Sequence, residues 1–198
     1  MTVFATVFPS APQHSGLAIP RGDLWIFGYG SLMWDPGFPY VQWAPALIYG
    51  YHRALCISSN RWRGTPQRPG LVLGLDRGGA CRGIAFLLAQ SDVRPALEAL
   101  WAREMRRHVY RPRFLRTRLP DKDVNALAFI ADPKHGSYMG GLSIRQIAER
   151  IATCCGARGA NLEYLARTVA HLRELGVRDH HLQRVLAAAR ALDAQKRS

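Results

Sequence analysis

Two stretches of this sequence hold residue types that can do chemistry. The first is Gly28-Tyr29-Gly30-Ser31-Leu32-Met33-Trp34, directly after the apolar run Leu24-Trp25-Ile26-Phe27. Glycines admit positive φ and let a ligand approach the backbone, and successive N–H groups of a tight turn form an anion nest. The glycine pair is a poor dinucleotide fingerprint, because the third glycine is missing and Pro36 interrupts the helix that should follow. Ser31 is a poor nucleophile candidate, since no G-x-S-x-G elbow surrounds it. The second stretch centres on Glu104. At about 100° per helical residue, Val93, Leu97, Leu100, Trp101 and Glu104 share one stripe, while Arg103 and Arg106 point away from it and Arg107 falls near its edge. A carboxylate on a core-facing stripe is costly unless it has partners or a task. Two readings stand on periodicity: a structural glutamate paired with an arginine or with backbone amides, or a general base whose pKa is raised by desolvation.

The elements that must position these groups follow from pattern. The run 24–27 reads as a buried strand ending in glycines, with further strands at 46–58, 70–75 and 81–89. Segments 113–119 and 124–131 form a hairpin across Pro120-Asp121-Lys122-Asp123. Ser91 is a cap for a helix to about residue 106, with Pro95 in its first turn. Ser143 and Gln146 make a capping box, and Gly156 supplies the stop. Asn161 is the cap of the next helix, which carries Leu162, Leu165, Val169 and Leu172 and closes at Gly176; Asp179 starts the last one. Strands without intervening helices, then one helix, a hairpin and terminal helices, are not repeated βαβ units. The expected fold is α+β: a curved, mainly antiparallel sheet or small β-barrel with flanking and C-terminal helices. Residues 1–22, poor in charge and containing Pro9, Pro12 and Pro20, read as an extended or partly mobile arm, and 23–198 as a single domain.

Composition narrows the function classes. The chain has 198 residues, 48% hydrophobic and 21% charged, enough for a proper core and unlike a disordered chain. No apolar run approaches the roughly 20 residues of a membrane span, and the start lacks the features of a secretory signal, so a cytoplasmic location is expected. Cys56, Cys81, Cys154 and Cys155 show no C-x-x-C, and His180-His181 no matching ligand spacing, so reduced cysteines and no metal are expected. The net charge of +13 comes almost wholly from arginine, with seven arginines between 103 and 118. No zinc finger, RRM signature or basic coiled coil accompanies them, so a solvated basic face is expected rather than a nucleic-acid site. Such a face also steers small anions toward a cleft.

The stretch Trp25-Ile26-Phe27-Gly28-Tyr29-Gly30-Ser31-Leu32-Met33-Trp34 resembles the opening signature of ChaC-type γ-glutamylcyclotransferases. Leu100-Trp101-Ala102-Arg103-Glu104-Met105, with Tyr110 following, resembles the segment that carries that family's catalytic glutamate. Asn125-Ala126-Leu127-Ala128-Phe129, Asp132-Pro133-Lys134-His135 and Asn161-Leu162-Glu163-Tyr164-Leu165 resemble later blocks of the same family, so the similarity runs in order from about Trp25 to Leu186. The resemblance implies the cyclotransferase barrel and a cofactor-free, metal-free reaction that releases 5-oxoproline and Cys-Gly from glutathione. It makes Glu104 the general base and Gly28, Tyr29, Gly30, Ser31, Leu32 and Met33 the lining of the glutamyl pocket. Tyr110 and Tyr164 are further pocket candidates, with plain core packing as the equal alternative. Other readings in view are a cyclotransferase for other γ-glutamyl amino acids or amines, and a non-catalytic domain that keeps the pocket.

Overall fold

In the computed structural model, residues 17–104 and 108–197 are described; the first sixteen residues of the expected arm, and Met105, Arg106 and Arg107, lie outside them. Within the arm's remainder Ile19 is buried. The described chain divides into two compact units, one of residues 17–52 and 77–132 and one of 53–76 and 133–197.

The first unit is built on strand pairing. β1 (Leu24–Gly28), β2 (Gln42–Ser59), β3 (Gly70–Leu88), β4 (Tyr110–Arg118) and β5 (Asp123–Ala131) form a closed barrel in the order β1-β3-β2-β4-β5, residues 53–59 of β2 and 70–76 of β3 being counted in the second unit. β1 is bonded on both edges: it pairs antiparallel with β3 from Leu24↔Leu88 to Gly28↔Ile84 and parallel with β5 at Trp25↔Ala126 and Ile26↔Leu127. A strand held on both edges and packed inward reads as a continuous apolar run, and Leu24, Ile26 and Phe27 are buried. The expected hairpin is present, with β4 and β5 paired from Tyr110↔Ala131 to Arg118↔Asp123. Two expectations are corrected. Segments 70–75 and 81–89 are a single strand, because Gly78 and Gly79, both at positive φ, let the chain bend without leaving the ladder. α1 (Gln90–Glu104) then follows in the same unit. Its first turn begins one residue before Ser91, and the Gln90 N–H is held by Asp23 Oδ1 at 3.0 Å, so Asp23 does the tying that Ser91 was expected to do.

The second unit carries the remaining helices. α2 (Ile144–Thr153) opens with the expected capping box, the Ser143 hydroxyl accepting from Gln146 N–H and the Gln146 side-chain carbonyl from Ser143 N–H. It ends at Thr153, before Gly156, which pairs instead in the short β6 (Cys155–Gly156) and β7 (Gly159–Ala160) ladder. Asn161 is not a cap. α3 (Asn161–Glu174) starts at it, and its buried amide bonds Leu71 on both sides, accepting from N–H at 2.6 Å and donating to C=O at 2.8 Å. The side chain thus completes a ladder position that no strand occupies. Gly70 makes room for it: a Cβ there would stand 2.5 Å from Asn161 Oδ1. α4 (His180–Arg197) begins as expected at Asp179, whose Oδ1 accepts from Leu182 N–H while its Oδ2 pairs at 3.0 Å with the buried Arg53. Among the cysteines, Cys56, Cys81 and Cys154 are buried and Cys155 is exposed, all as free thiols. Burial, then the Asp76 charge, pushes the Cys56 thiol up to about 12, so it fills space as a neutral group.

Asn161→Ala would leave a buried donor and a buried acceptor of Leu71 without partners. Urea denaturation of that variant should show a loss of about 2–5 kcal/mol with an unchanged m-value; a loss under about 0.5 kcal/mol would mean the amide carries no such load.

Candidate active site

β1 delivers the glycine motif. Past Gly28 the chain folds at once into a 3-10 turn, Ser31–Met33, closed by Met33 N–H to Gly30 O at 2.9 Å, Trp34 N–H to Ser31 O at 3.2 Å and Asp35 N–H to Ser31 O at 2.8 Å. Neither Gly28 nor Gly30 has a positive φ, so left-handed backbone is not what these positions need. A Cβ on Gly28 would stand 3.2 Å from Leu32 Cβ, so its absence lets the turn lie down on the end of the strand. Gly83 on β3 performs the matching service beneath: a Cβ there would collide with Gly28 O and stand 2.6 Å from the Phe27 ring.

The side chains of the motif divide into two sets. Tyr29, Leu32 and Met33 are buried, and the Tyr29 hydroxyl donates to Phe129 O at 3.0 Å, which fastens the turn to β5. Gly30 and Ser31 are half-buried and present the turn's outer surface. The amides of Ser31 and Leu32 stand outside the turn's own hydrogen bonds, as the leading N–H groups of a helical turn do. The sequence groups six residues as pocket lining; the structure gives three of their side chains to the core.

α1 delivers the carboxylate. Val93, Ala96, Leu97, Leu100 and Trp101 form its buried face, and Trp101 meets Phe129 edge-on at 5.5 Å. Phe129 therefore receives both the helix, through its ring, and the glycine turn, through its carbonyl. Glu104 continues the stripe with its side chain 19% exposed. Burial raises its pKa above the ordinary glutamate value, and the Arg103 guanidinium acts against that rise.

Arg103 is the residue that the helical stripe did not single out. Its Nε lies 3.4 Å from Glu104 Oε1, Nη1 donates to Asp35 O at 2.9 Å, and Nη2 donates to Ser31 Oγ at 2.8 Å. One guanidinium thus brings Glu104 and Ser31, predicted from two distant motifs, to the same group. The signal that could have found it is only its place beside Glu104. Tyr110 opens β4, half-buried and paired with Ala131. Tyr164 stands on α3 in the second unit, where its hydroxyl accepts from Leu73 N–H at 3.3 Å and Arg63 lies 5.0 Å over its ring.

Among the described residues no cluster of His, Cys, Asp and Glu is arranged to hold a metal ion. The chemistry on hand is a largely buried carboxylate of raised proton affinity beside a turn with two leading amides and a hydroxyl. That arrangement suits acid–base work on a small anionic molecule.

The family model described as ChaC-like protein matches residues 24–192. The chain belongs to the ChaC-like family. The glutathione-specific γ-glutamylcyclotransferase of Escherichia coli strain K12 is 37% identical over 176 residues, covering 88% of this chain and 76% of that protein. The mouse protein named glutathione-specific γ-glutamylcyclotransferase 1 is 35% identical over 192 residues, covering 93% of this chain and 86% of its own length. The crystal structure of a yeast γ-glutamyl cyclotransferase specific to glutathione shares the fold, with a TM-score of 0.77 at 20% identity over 86% of this chain and 99% of that one.

The raised pKa of Glu104 has a consequence for stability. A carboxyl whose pKa is higher folded than unfolded binds more protons in the folded state between the two values, so stability falls as pH rises through that window. Glu104→Gln removes this loss. Thermal melting between about pH 4 and pH 8 should show the variant's advantage over the native chain growing with pH, leaving it at least as stable at neutrality. A structural glutamate holding a buried arginine would give the reverse, a marked loss. Arg103 is one-third exposed and has two other acceptors, so that loss is not expected.

Proposed function

We propose that this protein is a glutathione-specific γ-glutamylcyclotransferase, with Glu104 as its general base and the Gly28–Met33 motif as the holder of the glutamyl group. The observation that carries this reading is the raised, largely buried carboxylate tied through Arg103 to the hydroxyl of the glycine turn. The names of its relatives in Escherichia coli and mouse support the substrate.

The reaction asks little of an enzyme beyond placement and proton transfer. The α-ammonium of the glutamyl residue gives one proton to the Glu104 carboxylate, and the freed amine attacks the γ-carbonyl carbon within the same molecule. The new C–N bond closes the five-membered ring, the ring nitrogen gives up a second proton, the amide bond to cysteine breaks, and the cysteinyl nitrogen takes up both protons, one of them by way of Glu104, to leave as its ammonium. Products are 5-oxoproline and Cys-Gly, with atoms and charge balanced. A raised pKa suits both halves of this cycle, since the same carboxyl must accept and then release a proton. The leading amides of Ser31 and Leu32 and the Ser31 hydroxyl are donors for the substrate's carboxylate or for the oxygen that gains charge as the ring closes. Holding the folded glutamyl conformer supplies the rest, because the attack is intramolecular. The excess of arginine suits an anionic substrate, and the free thiols suit a reducing compartment such as the cytoplasm.

Purified protein incubated with glutathione should release 5-oxoproline and Cys-Gly in equal amounts, read by chromatography. Glutathione should be used far faster than γ-glutamyl-ε-lysine or simple γ-glutamyl dipeptides; comparable kcat/KM across the three would overturn the substrate assignment. Glu104→Gln should still bind glutathione, with turnover lowered by roughly 10²-fold or more. Near-native turnover in that variant would remove Glu104 from the role of base.

A further inference from the structure

We propose that Arg103 is the positioning residue of this site, its guanidinium fixing the Glu104 carboxylate and the Ser31–Asp35 turn in one relation so that base and substrate holder keep register. The inference rests on the reading of Glu104 as base and of the turn as pocket.

A guanidinium carries its three nitrogens in one rigid plane, and here each faces a different group. Nε lies within ion-pair distance of Glu104 Oε1 at 3.4 Å, Nη1 donates to the Asp35 carbonyl at 2.9 Å, and Nη2 donates to Ser31 Oγ at 2.8 Å. The Asp35 carboxylate adds a contact at 3.7 Å from Nη1. Gly37 is pressed close as well: at φ +73° a Cβ would stand 3.4 Å from Nη1. The chain from Ser31 to Gly37 therefore wraps the guanidinium, although it is about seventy residues away in sequence.

Two features mark this as more than surface pairing. Adjacent residues on a helix point about 100° apart and do not normally meet, so the 3.4 Å approach of Arg103 Nε to Glu104 Oε1 is not set by helical spacing alone. And an arginine one-third exposed gains little stability from ion pairing, yet this one donates from both Nη atoms while its Nε lies within ion-pair distance of Glu104. Ser31 Oγ, by accepting from Arg103, keeps its own proton for donation to a ligand. Lysine cannot substitute, because its single nitrogen cannot aim at three acceptors held apart in a plane.

Steady-state kinetics with glutathione on Arg103→Lys, Arg103→Ala, Ser31→Ala, the Arg103→Ala/Ser31→Ala pair and Glu104→Gln test the idea, with melting temperatures on the same preparations. Both Arg103 variants should lose about 10- to 100-fold in kcat, the scale of a small misplacement of a reacting group. KM should rise by only a few-fold and melting should shift little. The double variant should lose clearly less than the product of the two single losses, because both substitutions break the same link. Millimolar ethylguanidinium should return part of the turnover of Arg103→Ala and none of Glu104→Gln. Native kcat in Arg103→Lys, or a double-variant loss equal to the product of the single losses, would overturn the inference while an inactive Glu104→Gln leaves the base in place. A fully active Glu104→Gln would overturn the base reading and this inference with it.

Discussion

A carboxylate withdrawn four-fifths from water is expensive to keep charged, and that is the condition of the Glu104 side chain on α1. Burial drives its proton affinity up, and Arg103 limits the rise. The outcome is a group that can both take and return a proton, which neither a solvated glutamate nor a sealed one does well. Its position depends on α1 keeping its buried face seated, which Val93, Leu97, Leu100 and Trp101 secure by burial and Trp101 by its edge-on contact with Phe129.

The glycine turn depends on the same residue. Phe129 accepts the Tyr29 hydroxyl through its carbonyl while its ring meets Trp101, so β5 fixes both halves of the site. The remaining conditions are steric. Gly28 lets the turn lie on the strand end, and Gly83 lets β3 pass under the Gly28 carbonyl. These glycines are needed for close approach of backbone to backbone, not for left-handed conformations.

In the second unit single side chains serve twice. Asn161 replaces a missing strand partner for both polar groups of Leu71, and Asp179 is at once helix cap and partner of the buried Arg53. A buried arginine without a carboxylate would be strongly unfavourable, so α4 is bound to start where Asp179 meets it. The Tyr164 hydroxyl likewise accepts from the Leu73 backbone N–H in this unit.

Periodicity alone revealed the apolar run of β1, the β4–β5 hairpin, the capping box at Ser143 and the helix start at Asp179, because each is encoded by residues adjacent in the chain. The same holds for the placement of Glu104 on a buried helix face, since a stripe needs nothing beyond its own spacing. The unbroken β3 was hidden, because a glycine pair reads as a break unless a neighbouring strand holds it in the ladder. Asn161 reads as a cap from sequence for a related reason: its type suits a cap, and only the approach of Leu71, ninety residues earlier, gives it another task. Sequence and family resemblance together named Glu104 and the glycine motif, yet left them as two separate signals. That Tyr29, Leu32 and Met33 turn inward while Ser31 faces Arg103, and that Arg103 gathers the turn and the carboxylate, was decided by tertiary structure. Side-chain direction at a strand end, and the choice of an arginine among several possible acceptors, are settled only when distant segments arrive and compete for the same donors.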